Sequence, residues 1–385
     1  MILYLSSAID PNNFAELIKN GKVIGGHQAQ RFNSLVASGL SSLTDVIAIS
    51  NPPYVKTEEQ IAPAIVCRDG IKYVSISNNN SRLHKLKNYL EMSSCIKRET
   101  KGNIPEAIVC DAINPLASLN AIRYARKWKI PAVAIITDVP EYMDKGHESI
   151  FTKLTSFLMK KYDEYVLLTE AMNDLVNPND KPYIIMEGLC ESSGDDGAFV
   201  EKKIRDKFTC LYTGSLSEGT GIEELVGAIR EINDFNIELK IYGNGKLADW
   251  LSTVSQEDER IKYGGVVTNA EAVAEQKNAD LLINPRPTDI AYGNVSFPSK
   301  IMEYMASGTP LLTTALPGIP REYYDYIYVI EDYSAKGIAD AIKTVCFAPI
   351  DERMGKAMAA KEFVMTKKNN RSQAERIVNL IGALK

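Results

Sequence analysis

Short apolar runs alternate with stretches of helical period along the first half of the chain. Ile2–Ala8, Val46–Ser50, Tyr73–Ser77, Ala107–Cys110, Ala132–Ile136 and Glu164–Leu168 read as buried strands, and helices are predicted between them, as over His27–Ser41 and Pro115–Trp128. Such alternation predicts a parallel sheet covered on both faces. The pattern pauses at Glu187–Ala198, rich in Gly, Ser and Asp and without apolar period, which reads as an interdomain linker. It then restarts with strands predicted over Phe208–Tyr212, Ile237–Tyr242, Ile261–Tyr263, Asp280–Asn284, Pro310–Thr314 and Ile327–Ile330. Helices are predicted over Ile222–Ile232 and Ala335–Val345, and Ile350–Leu384 reads as one long helix or two joined ones. The predicted fold class is α/β, with two tandem doubly wound, Rossmann-like domains. The first spans 1–188, a linker 189–204 and the second 205–360, with a C-terminal helix over 361–385 able to pack back on the first domain. Ligands of such folds bind beyond the carboxyl ends of the strands, so the expected site is a cleft between the two domains.

Composition narrows the class without naming a chemistry. The chain of 385 residues is 45% apolar and 24% charged with a net charge of -5, an ordinary balance that argues against a nucleic-acid partner. Residues 1–190 carry 21 basic and 20 acidic side chains against 23 and 29 in the remainder, a weak hint that the N-terminal half faces something anionic. No window approaches the roughly 18 apolar residues of a membrane span, and the first residues read as a strand rather than a signal peptide. Six scattered cysteines without a CxxC pair, and only three histidines, predict a cytoplasmic protein with neither disulfides nor a zinc site.

The segment Ser296–Pro310 carries the most specific chemistry. Pro298 suits a first helical turn, Gly308 the position past the last, and Ile301, Met302 and Met305 share a core face. Ser299, Lys300 and Glu303 fall on another face. A helix N-terminus with Ser299 and Lys300 in its first turn makes a phosphate seat, and Glu303 one turn deeper could accept hydrogen bonds from a ribose diol. The competing reading is a solvated Lys–Glu pair worth a few tenths of a kcal/mol. A second motif, the turn from Tyr212 to Ile222, holds Gly214, Gly219 and Gly221 where a strand enters a helix. It lacks the spacing of a dinucleotide fingerprint or a P-loop, which disfavours nicotinamide and ATP.

From Phe208 to about Ser334 the chain resembles the C-terminal, donor-binding domain of GT-B glycosyltransferases, most closely the family-4-like group of bacterial polysaccharide and glycolipid biosynthesis. The residues that carry the resemblance are Tyr212–Leu216 with Gly221 and Ile222, Lys240–Gly245, Tyr263–Val266, Ala279–Asn284, and Ser296–Pro310 with Thr313, Pro317 and Gly318. The resemblance implies that Glu303 is the second glutamate of the family's E-x7-E motif and binds the donor ribose. It implies that Gly264–Val266 holds the base, with Val266 in the donor site, and that Gly214 and Ser215 lie beside the donor phosphates. Two departures stand out. Val295 occupies the place of the first glutamate, and Ser215 and Thr220 stand where a basic pair is usual. Some cation must replace that pair beside a diphosphate, and Lys300 and Arg286 are the candidates, although Arg286 could instead pair with Asp289.

In the first domain Gly25 and Gly26, opening the helix at His27, resemble the glycine pair that admits the donor phosphates from the opposite wall, set apart from the first strand by the insertion Asp10–Val23. His27 is either a proton donor or acceptor contact or an ordinary first-turn histidine. Asp138 ends a strand at its carboxyl edge, where the retaining relatives carry a histidine; it could bond sugar hydroxyls, act as a base, or simply cap the turn before Val139 and Pro140. Asp111 is a third carboxylate of the same region. No Asp-x-Asp motif appears between strands, so no metal cofactor is expected, and charge on the departing diphosphate would fall to helix N-termini and Lys/Arg. Arg82–Lys101 and Phe151–Lys161 are basic stretches; in relatives this face touches anionic lipid, while a solvated helix face explains them as well. The expectation is a cytoplasmic glycosyltransferase at the inner face of the membrane, metal-independent and retaining, moving sugar from a nucleotide-diphosphate sugar to a polysaccharide or lipid-linked acceptor. A GT-B nucleotide-sugar epimerase and a catalytically silent GT-B subunit are the alternatives.

Overall fold

Runs of buried β-branched residues build two separate sheets in the computed structural model, which describes residues 1–23, 26–52, 61–77, 82–143, 149–191, 206–288 and 295–383. The chain divides into two units, Met1–Ser192 with Lys367–Lys385, and Ser193–Thr366. In the first unit the strands are β1 (Ile2–Ser6), β2 (Val46–Ser50), β3 (Ala64–Arg68), β4 (Ile71–Ser75), β5 (Ala107–Asp111), β6 (Ala132–Ile136), β7 (Glu164–Leu167) and β8 (Tyr183–Ile185). Their order is β3-β4-β2-β1-β5-β6-β7-β8, parallel throughout except for the β3–β4 hairpin at one edge. That hairpin turns through Asp69 and Gly70, both at positive φ (50° and 77°), the conformation that a two-residue Asp-Gly turn requires. β1, β2 and β6 are buried along their whole length, as central parallel strands covered on both faces must be.

One face of this sheet is covered from both ends of the sequence. The helix His27–Ser41 presents Val36, Ala37 and Leu40, and the helix Asn370–Gly382 presents Ala374, Ile377, Leu380 and Ile381 to the same core as Ile2, Val46, Val109 and Val133. The two helices approach closely at Gly39, where an added Cβ would lie 2.2 Å from the Asn370 carbonyl oxygen. The chain re-enters this unit beside the point where it leaves. Cys190 N–H donates to the Lys368 carbonyl (3.2 Å), Asn370 N–H donates to the Cys190 carbonyl (2.9 Å), and the buried Lys368 amine is held by both oxygens of the buried Glu187 carboxylate (2.9 and 3.0 Å).

In the second unit the strands are β9 (Phe208–Thr213), β10 (Ile237–Tyr242), β11 (Ile261–Tyr263), β12 (Leu281–Asn284), β13 (Leu311–Thr314) and β14 (Tyr328–Ile330). All pairs are parallel, in the order β11-β10-β9-β12-β13-β14. The chain therefore winds outward from β9 in one direction, then restarts at β12 and winds in the other. The gap between the turns after β9 and β12 is the topological switch point, where open α/β sheets take their ligands. Val226, Ile229 and Leu225 of the helix Ile222–Glu231 and Ile338 and Ile342 of the helix Ala335–Phe347 share the core on one face. The helix Ile350–Lys367 stays with this unit, its Phe363 ring stacked on Tyr326 at 4.6 Å between centroids.

Candidate nucleotide-sugar site

The helix Ser299–Ser307 follows β12 and sits at the switch point. Pro298 precedes it in extended conformation, no side chain caps its first turn, and Gly308 ends it in the left-handed region (φ 74°). Ile301, Met302, Tyr304 and Met305 anchor it in the core, which leaves Ser299 exposed and Lys300 and Glu303 half-buried on the side that the sequence assigns to them.

Lys300 does not extend into solvent. Its side chain runs under Gly214, so closely that an added Cβ there would lie 2.1 Å from Lys300 Cε; the lysine tip could swing aside, and it is the φ of 143° that favours glycine at this position. The amine rests on the face of the Tyr212 ring, 3.9 Å from its centroid, and donates to the Tyr212 hydroxyl. That hydroxyl in turn donates to the Ser215 carbonyl (2.7 Å). Burial pushes the Lys300 amine down to about 7, Glu303 opposes the shift, and the positive charge of Arg286 reinforces it. Glu303 and Arg286 are thus each within electrostatic reach of Lys300. Tyr212 as the rest for Lys300 is not visible in the sequence, because the two residues are 88 positions apart.

Glu303 is held from below. Its Oε1 accepts from Gln276 Nε2 at 2.6 Å, and the same nitrogen donates to Thr213 Oγ1 at 3.0 Å. The Thr213 N–H donates to the Tyr304 hydroxyl (2.8 Å), which donates back to the Thr213 carbonyl (3.1 Å). The end of β9, the helix Asn269–Asn278 and the helix Ser299–Ser307 are joined through these side chains. Gln276 escaped the sequence reading, because an amide in a helix with no other buried residue carries no local signal of burial.

Backbone bonds fix the remaining turns. Gly214 N–H donates to the Tyr242 carbonyl (2.9 Å), Leu216 N–H to Asn244 (3.0 Å), and Gly243 N–H to Gly265 (2.8 Å). The turns after β9, β10 and β11 therefore form one edge, with Ser215 and Val266 exposed on it, the latter at 71%. On the other side of the switch point Gly221 (φ 79°) lies so close to the Pro285 carbonyl that a Cβ would meet it at 1.8 Å. Arg286 follows, half-buried, its carbonyl accepting from the Thr314 hydroxyl. Val295 is buried, with no carboxylate in the place of the first motif glutamate. Asp289 lies outside the described residues.

In the first unit, Gly26 adopts the left-handed conformation (φ 76°) before the helix that His27 opens; Gly25 and the His27 side chain lie outside the described residues. Asp138 follows β6, half-buried, and Asp111 ends the adjacent β5. Burial pushes the Asp111 carboxyl up, a hydrogen bond from Asn33 Nδ2 (3.0 Å) holds it down, and the Asp138 charge adds to the rise. The insertion after β1 forms the helix Pro11–Lys19, which with the β3–β4 hairpin encloses a cavity of about 370 Å³ lined by Asp10, Asn13, Leu17, Lys22, Tyr73 and Ser75 among others. No described helix is long and apolar enough to cross a membrane.

Comparison with known proteins bears on the fold. Residues 207–346 match the family model described as Glycosyl transferases group 1. No curated protein matches the sequence. Among solved structures, sucrose-phosphate synthase from Thermosynechococcus elongatus superposes with a TM-score of 0.70 at 14% identity, covering 100% of this chain and 99% of that one. The lipopolysaccharide outer core galactosyltransferase WaaB gives 0.64 at 14% identity, covering 100% and 99%. Anabaena HepE, in complex with UDP and glucose, gives 0.63 at 12% identity, covering 99% of each chain. At these identities the likeness is one of fold, and it extends over both units. Residues 207–346 thus resemble the group 1 glycosyl transferases, carried on a chain with the GT-B fold.

Proposed function

We propose that this protein transfers a sugar from a nucleotide-diphosphate sugar to a hydroxylated acceptor, a polysaccharide or a lipid-linked glycan, and that it does so without a metal ion. The observation that carries the reading is Lys300 at the switch point, its amine on the Tyr212 ring beneath Gly214 and within electrostatic reach of both Glu303 and Arg286. In this reading Lys300, Arg286 and the uncapped N-terminus at Ser299 take the diphosphate charge, Gly214 and Ser215 border it, Glu303 receives the ribose, and the edge around Val266 receives the base. Gly25 and Gly26 admit the donor phosphates, and Asp138 and His27 serve the sugar and acceptor. The cavity beside the insertion helix, lined by Asp10, Asn13 and Tyr73 as well as by apolar Ile9, Leu17 and Ile61, offers both hydrogen-bonding groups and apolar surface to a glycan. Retention of configuration rests on the family resemblance. A peripheral contact with anionic lipid rests on the exposed Ile150 and Phe157 beside Lys160 and Lys161. HepE holds UDP and glucose, so UDP is the first nucleotide to test.

A catalytically silent subunit is the second reading, favoured by the buried Val295 and by Lys300 lying on Tyr212 rather than extended. Thermal unfolding separates the two. A nucleotide at a hundredfold excess over its dissociation constant stabilises the protein by about 2.7 kcal/mol. The expected result is a raised Tm with one of UDP, GDP or dTDP, and sugar transfer from the matching donor. No shift with any of them at millimolar concentration sinks the transferase reading.

A further inference from the structure

Gln276 is fully buried, the single buried residue of the helix Asn269–Asn278. A buried amide is costly unless its donors are used, and here Nε2 serves both Glu303 Oε1 (2.6 Å) and Thr213 Oγ1 (3.0 Å). Its own oxygen is buried without a hydrogen-bond partner among the described residues. The reversed amide orientation is excluded by charge, since it would set two acceptors 2.6 Å apart. The Gln276 main chain is fixed as well, because its carbonyl accepts from the Thr309 hydroxyl (2.7 Å) just past the helix that carries Glu303. One rigid amide therefore sets the direction of the Glu303 carboxylate and ties it to Thr213, the residue before Gly214.

We propose that Gln276 is a positioning residue for the nucleoside half of the donor: it aims Glu303 at the ribose and registers that carboxylate against the phosphate turn. The proposal rests on the reading of Glu303 as a nucleoside ligand. A purely structural amide would leave the nucleotide affinity independent of its protonation analogue, and this separates the two roles.

Gln276→Glu is nearly isosteric. At low pH the new carboxyl carries a proton and donates it to Glu303, as Nε2 does. As pH rises the proton is lost, the two carboxylates repel, and Glu303 turns away. The test is UDP affinity, by calorimetry on the full-length protein, for wild type and variant at pH 5.5 and 8, each variant value divided by wild type at the same pH. The expected ratio is within about threefold at pH 5.5 and at least tenfold weaker at pH 8, whereas inorganic pyrophosphate affinity changes by less than threefold. Gln276→Leu, which keeps the volume and removes the donors, should weaken UDP at both pH values and spare pyrophosphate; it carries the test if the glutamate variant does not fold. A UDP ratio that is flat with pH, together with an unimpaired leucine variant, overturns the proposal. Ligand-free melting keeps the two readings apart. If the Tm deficit of Gln276→Glu grows with pH while wild type binds no nucleotide, the bond is purely structural, and it is the transferase reading that has failed.

Discussion

At the residue scale the decisive side chain is Lys300, and its environment turns an expected phosphate cation into a proton-linked one. An amine at about 7 is only part-charged at neutral pH, whereas an arriving diphosphate favours the charged form and raises it. Nucleotide binding should therefore take up a proton above pH 7, and affinity should fall as pH rises from 7 towards 9, by up to about tenfold per unit. Calorimetry in buffers of different ionisation enthalpy measures that uptake directly. The effect on folding has the opposite sign: the unfolded amine holds its proton up to its ordinary value near 10.5, so this group adds stability as pH rises above 7. Lys300→Ala should remove the proton uptake and weaken UDP by at least tenfold, since a charge-assisted bond contributes about 1.5–3 kcal/mol. Unchanged affinity in the variant would move the phosphate seat elsewhere. The places of Lys300 and Glu303 were legible in the sequence because both sit in one short helix, and that of Arg286 because it lies just past the strand before it. Tyr212 and Gln276 were not, since the contacts that define them join segments 88 and 27 positions away.

At the scale of elements, long buried strands announce themselves and marginal ones do not. β9 to β14 and the helices His27–Ser41 and Pro115–Trp128 follow the apolar period closely. β3 and β8 were missed, for different reasons. β3 is an edge strand with Ile65 54% exposed, so its apolar pattern is diluted, although Asp69–Gly70 was an available hairpin signal. β8 is three half-buried residues, too short for any period. β7 opens on an anomaly, Glu164, which is fully buried with neither carboxylate oxygen hydrogen-bonded among the described residues. Burial, with the nearby Asp163, pushes its carboxyl up to about 7. The unfolded carboxyl ionises first, so stability falls as pH rises from about 4.5 to about 7 and stays reduced above it. Glu164→Gln should abolish that slope and stabilise the protein by about 1–2 kcal/mol at pH 8, with little effect at pH 4. Urea unfolding at the two pH values checks it, and equal effects at both would place the burial cost elsewhere.

At the scale of the whole molecule, the first unit is closed by residues from the far end of the sequence. Gly39→Ala should drive a methyl group into the Asn370 carbonyl and cost about 1–3 kcal/mol in urea unfolding of that unit. A wild-type value would mean that the two helices separate without loss. A fragment of residues 1–192 should show exposed apolar surface by dye binding, because the helix Asn370–Gly382 is missing from its core, while 206–366 should unfold cooperatively. The same closure imposes an order in time. On the ribosome, residues 370–382 emerge only after every strand of the second unit, so the second unit can finish folding while the first waits with a bare sheet face. The buried Lys368–Glu187 pair then acts as a latch that only a late arrival can shut. What looks in the finished protein like a C-terminal helix is, in the life of the nascent chain, the last step in making its N-terminal half, and a premature stop within it would harm the residues translated first.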